Sequence, residues 1–181
     1  MKKTNIFYFI VLLAFSSIFM TACHNDDSND KDLITCPTDN QSAAKLIAGN
    51  YDGKMGTTLS SANFNNMTFP DTINQKIVIT HDTLNYISIV YKDWSNGGVN
   101  YGDLKVSPVE VSVSEENNTI LVEGNCKQIL HKGGRGFEAD IAVAGTFTPE
   151  EKHCNLLFKV NMPVSPMMTL DFKLTYDGKP E

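Results

Sequence analysis

Near its end the chain reads HCNLLFKVNMPV (residues 153–164) and then MTLDFKLTYDG (168–178), and in both stretches apolar and polar residues take turns. Leu156, Phe158, Val160 and Met162 fall on one side of the first stretch, with Lys159 and Asn161 on the other. In the second, Met168, Leu170, Phe172, Leu174 and Tyr176 alternate with Asp171, Lys173 and Thr175. A period of two places successive side chains on opposite faces of a strand, so one face is buried and the other wet. A helix cannot segregate such a pattern. Two strands of this kind need partners that present matching apolar faces, and the chain upstream supplies them.

Six further strands are read by the same test. Ile47, Gly49, Tyr51, Gly53 and Met55 share one face of a first strand; Ile73, Ile77 and Ile79, with Gln75 among them, share a face of a second. Leu84 to Tyr91 is a third, rich in β-branched and aromatic residues, and Leu104 to Ser114 a fourth, bent at Pro108 because proline belongs at edges and bulges. Ile120 to Leu130 is a fifth, and Phe137, Ala139, Ile141 and Val143 line a sixth against Glu138 and Asp140. The one helical candidate is a short turn from Asn40 to Ile47, with Asn40 or Ser42 as its cap. The fold class is therefore all-β: eight antiparallel strands with short links suit an up-and-down barrel, which removes edge strands by closure. An interior of that size is filled by side chains or holds one small ligand. An open two-sheet sandwich is the alternative.

The N-terminus has a different logic. Lys2 and Lys3 precede an apolar run from Ile6 to Met20, interrupted by Ser16 and Ser17. The run is short for a membrane span and suits a secretory signal. Thr21-Ala22-Cys23 closes it, and this border resembles the lipobox of bacterial lipoproteins, with Met20 where Leu is usual. The resemblance implies cleavage after residue 22, acyl chains such as palmitate on Cys23, and a membrane contact made through that anchor. His24-Asn25-Asp26-Asp27 resembles the acidic signal that displays lipoproteins on the outer leaflet of the outer membrane, so a cell-surface location is expected. The reading divides the chain into a signal peptide (1–22), a lipidated Cys with a polar linker (23–45) and a barrel domain (46–178). The segment AGNYDGKM (48–55) resembles the opening strand of calycin barrels, the lipocalin- and avidin-like superfamily, with Tyr51 where lipocalins carry Trp. That resemblance implies a calycin-like lipoprotein of the cell envelope.

Charge and motifs narrow the function. The formal net charge is −6, and Arg135 is the single arginine, a poor balance for holding nucleic acid. The glycine-rich HKGGRG at 131–136 has no Lys-Ser/Thr ending and reads as a hairpin turn rather than a phosphate loop. His131, His153, Cys126 and Cys154 are not spaced as metal ligands, no nucleophile elbow occurs, and Glu138 and Asp140 lie on a wet face. No enzyme, metal or cofactor is expected. Three cysteines remain beside Cys23. Cys36 and Cys154 should both lie near one end of the barrel, which favours a Cys36–Cys154 disulfide over one joining Cys126 to Cys154; Cys126 should pack inside as a small hydrophobe.

In an up-and-down meander alternate links emerge at the same end. Links at 57–71, 93–101, 131–136 and 163–167 share one end and carry Phe64, Met67, Phe69, Trp94 and Tyr101; the opposite links are short and charged, with Glu115, Glu116, Glu150, Glu151 and Lys152. The first end reads as a mouth and the second as a base. The base joins the anchor. The expectation is a monomer that binds a small apolar or amphipathic ligand at the mouth, with Phe64, Met67, Phe69, Trp94, Tyr101 and Arg135 as contacts. The alternative is a protein partner bound by the same loops on a closed, filled barrel.

Overall fold

The computed structural model describes residues 36–62, 64–114 and 116–181, without the side chains of Phe64 and Asn65. The signal segment and Cys23 lie outside the described residues. One short helix, α1 (Asn40–Leu46), is followed by β1 (Gly49–Ser61), β2 (Phe64–Thr83), β3 (Tyr86–Asn96), β4 (Val99–Ser114), β5 (Thr119–Lys132), β6 (Arg135–Thr148), β7 (His153–Ser165) and β8 (Met168–Pro180). Each strand pairs antiparallel with the next and β8 returns to β1, so the sheet closes into an eight-stranded up-and-down barrel.

The regular wall of this barrel is β5 to β8 with β1. β5 and β6 stay in one register from Ile120↔Phe147 to Lys132↔Arg135, around a two-residue turn in which Gly133 and Gly134 have φ of 57° and 78°. Positive φ at both central residues matches the strand twist, which is why HKGGRG forms this hairpin. Along β7, Cys154, Leu156, Phe158, Val160 and Met162 are buried while Asn155, Lys159 and Asn161 are exposed. Glu138 and Asp140 project into solvent around Lys127. Closure depends on Gly53: a Cβ there would stand 2.3 Å from the Asp177 carbonyl oxygen and 2.8 Å from the Tyr176 ring. The Gly-x-x-x-Gly frame around Tyr51 thus lets β1 lie against β8 with an aromatic ring over it.

At the base, α1 plugs the barrel. Ala43 and Ala44 are fully buried, Tyr51 Oη donates to the Ile47 carbonyl at 2.9 Å, and the Val113 N–H donates to Asn40 Oδ1 at 3.0 Å. The cap is Asp39, whose Oδ1 accepts from the Ser42 N–H at 2.8 Å, rather than Asn40 or Ser42. Residues 40–45, read from sequence as the end of the linker, are therefore part of the folded unit.

The rest of the barrel is less regular. On β2 an extra residue at Asn74 (φ 56°) lies between the pairs Gln75↔Gly53 and Thr72↔Met55. The extra residue reverses the alternation, so Ile73, expected inside with Ile77, is 67% exposed. Within the stretch 57–71, expected as a link, residues 57–61 and 64–69 are instead the paired far ends of β1 and β2. Likewise β3 runs on to Asn96 and β4 begins at Val99, leaving only Gly97 and Gly98 between them. At Pro108 the β3–β4 register skips a residue, between Ile87↔Val109 and Ile89↔Val106, at the expected bend.

Cys36, Cys126 and Cys154 are all free thiols, so the expected Cys36–Cys154 disulfide is not formed. Cys154 is fully buried on the inward face of β7 beside Tyr51 and Tyr176, whereas Cys36 precedes α1 and lies near Glu150. Burial pushes the Cys154 thiol up to about 12.

Candidate functional site

The mouth half of the β3–β4 hairpin differs from every other part of the sheet. β2 and β3 pair only from Thr83↔Tyr86 to Ile77↔Tyr91, and β4 and β5 only from Ser114↔Thr119 to Val109↔Gly124. Beyond those limits the hairpin continues as a two-stranded flap, residues 92–107, with no backbone ladder to either neighbour among the described residues. Side chains take the place of the ladders. On the β2 side, Tyr91 Oη donates to Gln75 Oε1. On the β5 side, Gln128 Nε2 donates to the Asp103 carbonyl at 2.6 Å and Gln128 Oε1 accepts from the Lys105 N–H at 2.9 Å. Cys126 Sγ donates to the Lys105 carbonyl at 3.3 Å. At the tip, Phe69 of β2 lies against Gly97, whose Cβ would stand 3.4 Å from the ring.

Two bulges turn aromatic rings inward under this flap. Ile87, Ile89 and Tyr91 face the core, and strict alternation would put Trp94 outside. Asp93 (φ 49°) is an extra residue between Tyr91↔Leu104 and Trp94↔Gly102, and it returns Trp94 to the inner face. The Asp93 N–H donates to Asp103 Oδ1 at 3.0 Å and Lys92 Nζ bonds Asp103 Oδ2 at 2.8 Å, which fixes the bulge in solvent. On the partner strand Tyr101 is the extra residue between Gly102 and Asn100. Trp94 and Tyr101 stack with centroids 4.6 Å apart, and Phe172 of β8 meets both edge-on, at 5.0 Å and 5.3 Å. Such offset and T-shaped contacts add about 0.5–1.5 kcal/mol each beyond the area they bury.

One polar atom in this cluster is unsatisfied. Trp94 is 0% exposed and its Nε1–H has no hydrogen-bond partner. Buried indole N–H groups are normally paired, and an orphaned donor costs about 1–3 kcal/mol. Burial also raises the Tyr101 and Tyr91 phenols above their ordinary values, so both rings stay neutral.

The structure brings together part of the expected contact set. Trp94 and Tyr101 meet, but as buried rings rather than an open rim. Phe69 is half-buried at the flap tip; Met67 is 49% exposed at the lip, and Arg135 is exposed beside the β5–β6 turn. The side chain of Phe64 lies outside the described residues. Sequence reading missed Phe172 as a member of the cluster and Gln128 as a clasp. A signal for the second existed: an amide on the apolar side of a strand otherwise carrying Ile120, Val122 and Leu130.

Other concavities lie elsewhere. Two shallow grooves of about 620 Å³ and 580 Å³ lie on the outer face, one across β5 to β8 lined by Lys127, Asp140 and Asn161 and the other from β6 across β8 to β1 and β2, lined by Asn155, Lys54 and Asp71. A notch of about 230 Å³ lies at the base between α1 and the β6–β7 turn.

An eight-stranded up-and-down barrel opened by a glycine-flanked aromatic strand and plugged by a short helix defines a calycin-type fold. The chain belongs to the family described as the calycin-like beta-barrel domain, which it matches over residues 47–179. A crystal structure of a candidate outer membrane protein from Bacteroides fragilis shares the fold, with a TM-score of 0.56 and 20% identity, over 75% of this chain and 52% of that one. The chain thus spans about half of that protein, and at this identity the likeness carries the fold alone. Comparison with curated proteins finds no significant match.

Proposed function

We propose that this barrel is a non-catalytic binding protein that takes a small apolar or amphipathic ligand at its mouth, beneath the β3–β4 flap. The observation that carries this reading is the flap itself: it covers an aromatic cluster, yet is fastened by side chains where the rest of the barrel is fastened by ladders. The interior is closed with the flap down, so ligand uptake requires the flap to hinge, and a ligand that fits under it shifts the balance toward the open form. The test follows the single tryptophan. Titration with a fatty-acid methyl ester and with a neutral apolar dye should change Trp94 emission saturably, and Phe69→Ala should alter the affinity. Blue, unresponsive emission across both probes would sink the reading.

A second reading, a protein-interaction surface, is favoured by one specific observation. Met67 (49% exposed), Ile129 (62%) and Met167 (87%) all lie on the mouth half of the barrel. Substituting all three by Ser would weaken a protein contact while leaving uptake beneath the flap intact.

We further propose that Cys23 carries the lipid anchor and that the barrel stands on the bacterial outer membrane, mouth outward. The pattern of residues 1–27 supports this, as does the position of β1 and β8, whose outer ends both lie at the base beside α1. Palmitate labelling that survives Cys23→Ala would overturn it.

A further inference from the structure

Resting on the flap reading above, we infer that Trp94 Nε1–H is the polar anchor of the site and that the ligand it selects carries an uncharged oxygen acceptor, of the ketone, ester or amide type, on an apolar body. Trp94 is fully buried within the aromatic cluster, and its donor is unpaired. With the flap down its ring packs against Tyr101 and Phe172; Tyr101 lies on the flap beside it, so the stacked pair hinges as one and the N–H keeps its place against the Tyr101 ring. A fixed donor on an apolar wall discriminates by what it loses: an occupant without an acceptor leaves the N–H unpaired, whereas one with an acceptor removes that cost.

The charge of the acceptor follows from the surroundings. Beside Trp94 itself, the buried polar groups among the described residues are the Thr57 and Ser88 hydroxyls, the phenols of Tyr51, Tyr91, Tyr101 and Tyr176 and the Cys154 thiol, and none of them carries a positive charge. Lys92 is spent on Asp103 in solvent, and Arg135 is exposed. A carboxylate brought to Trp94 would shed its water with no cation to meet it, which costs far more than one neutral hydrogen bond returns. A carbonyl oxygen meets the donor without that penalty. Trp94 therefore sets specificity in two directions, for an acceptor and against a charge.

The test uses three probes of one shape: 2-acetylnaphthalene, which carries a ketone; 2-isopropenylnaphthalene, which replaces the oxygen by carbon; and 2-naphthoate, which carries a carboxylate. Calorimetry on the purified protein should rank the ketone about tenfold or more ahead of the hydrocarbon, the factor that pairing one orphaned donor yields, and naphthoate behind the ketone. In Trp94→Phe the ring remains but the donor is gone; the ketone should fall to the affinity of the hydrocarbon, whose own affinity is retained. A readout on the unmodified protein stands beside the variant: the single indole N–H resonance should move downfield with the ketone and not with the hydrocarbon. Equal binding of ketone and hydrocarbon, a ketone preference that persists in Trp94→Phe, or an unmoved indole resonance overturns the assignment while leaving uptake beneath the flap in place. Binding by none of the three overturns the uptake reading, and this inference with it.

Discussion

Two halves of one barrel are held by different means. In the wall from β5 through β8 to β1, each strand is laddered to the next, β6, β7 and β8 are laddered on both sides, and the inward side chains alternate without interruption. In the β3–β4 flap, the two strands are laddered to each other alone, and Gln75, Gln128 and Cys126 reach across the seams. Backbone ladders bind many residues into one cooperative unit, whereas a clasp of two or three side chains can open while the unit stays folded. The wall should therefore set the global stability, and the flap should own the low-energy motions.

The largest effect expected from this contrast is in the wall. Phe158 is fully buried on β7, and Phe158→Ala should cost about 3–5 kcal/mol in urea unfolding. Tyr101→Ala on the flap removes a ring of similar size, but part of its cost falls on an opening that precedes global unfolding. Its loss by urea should be clearly smaller, and amide exchange at residues 92–107 should speed up beyond what the global loss explains. Equal losses by urea, with exchange changed uniformly, would break the comparison.

Gln128 sharpens it. Gln128→Leu removes the bonds to the exposed Lys105 N–H and the part-buried Asp103 carbonyl, a penalty of about 0.5–1.5 kcal/mol each. If the flap is a separate unit, that penalty should appear as faster exchange and faster ligand uptake in the flap, with the urea midpoint nearly unchanged. A full shift of the midpoint would mean that flap and wall unfold together.

The thiols report the same contrast through pH. Burial raises Cys154 to about 12 and also raises Cys126, and it raises the Tyr51 and Tyr176 phenols. A group whose folded value is raised stabilises the fold fully below its unfolded value and loses that contribution as pH climbs toward the folded one. Unfolded thiols and phenols titrate near about 8.5 and 10, so the contribution of these groups should be level below about pH 8.5 and fall above it. Cys154→Ala should make the fall shallower. Near neutral pH, a thiol reagent should reach Cys126 through flap opening and Cys154 only through global unfolding.

The two regions also differ in how far the sequence discloses them. The wall was legible because each inward position faces a packed interior and each outward one faces water, so the alternation is written directly into residues 137–143 and 156–176. The order of strands and the sharing of ends by alternate links follow from it. The flap was not legible, because Asp93 and Tyr101 each add a residue that reverses the alternation, and nothing in their side chains announces a bulge. Trp94 was therefore expected on a link, not on an inner face. The far ends of β1 and β2 were read as loops because they extend to the lip of the barrel, where there is little core to alternate against. The cysteine pairing failed for a related reason: sharing an end of the barrel does not decide which way a side chain points, and Cys154 points in.

The smallest predicted effect separates pattern from structure most cleanly. By period alone Ile73 belongs to the buried set with Ile77 and Ile79, and replacing a buried isoleucine by a small residue costs about 2–5 kcal/mol. The bulge at Asn74 instead turns Ile73 outward, 67% exposed, on a face that packs against nothing. Ile73→Ser should then change stability by no more than about 0.5 kcal/mol, the usual range for surface substitutions. Ile77→Ser, two residues past the bulge from Gln75, should be severely destabilising, because Ile77 is fully buried and the new hydroxyl would need a partner there. The pair of urea curves tests the bulge without reference to any ligand. If both variants lost stability alike, the strand would be unbulged, the register of β1 against β2 would change beyond Gly53, and Phe69 would no longer face Gly97 at the tip of the flap.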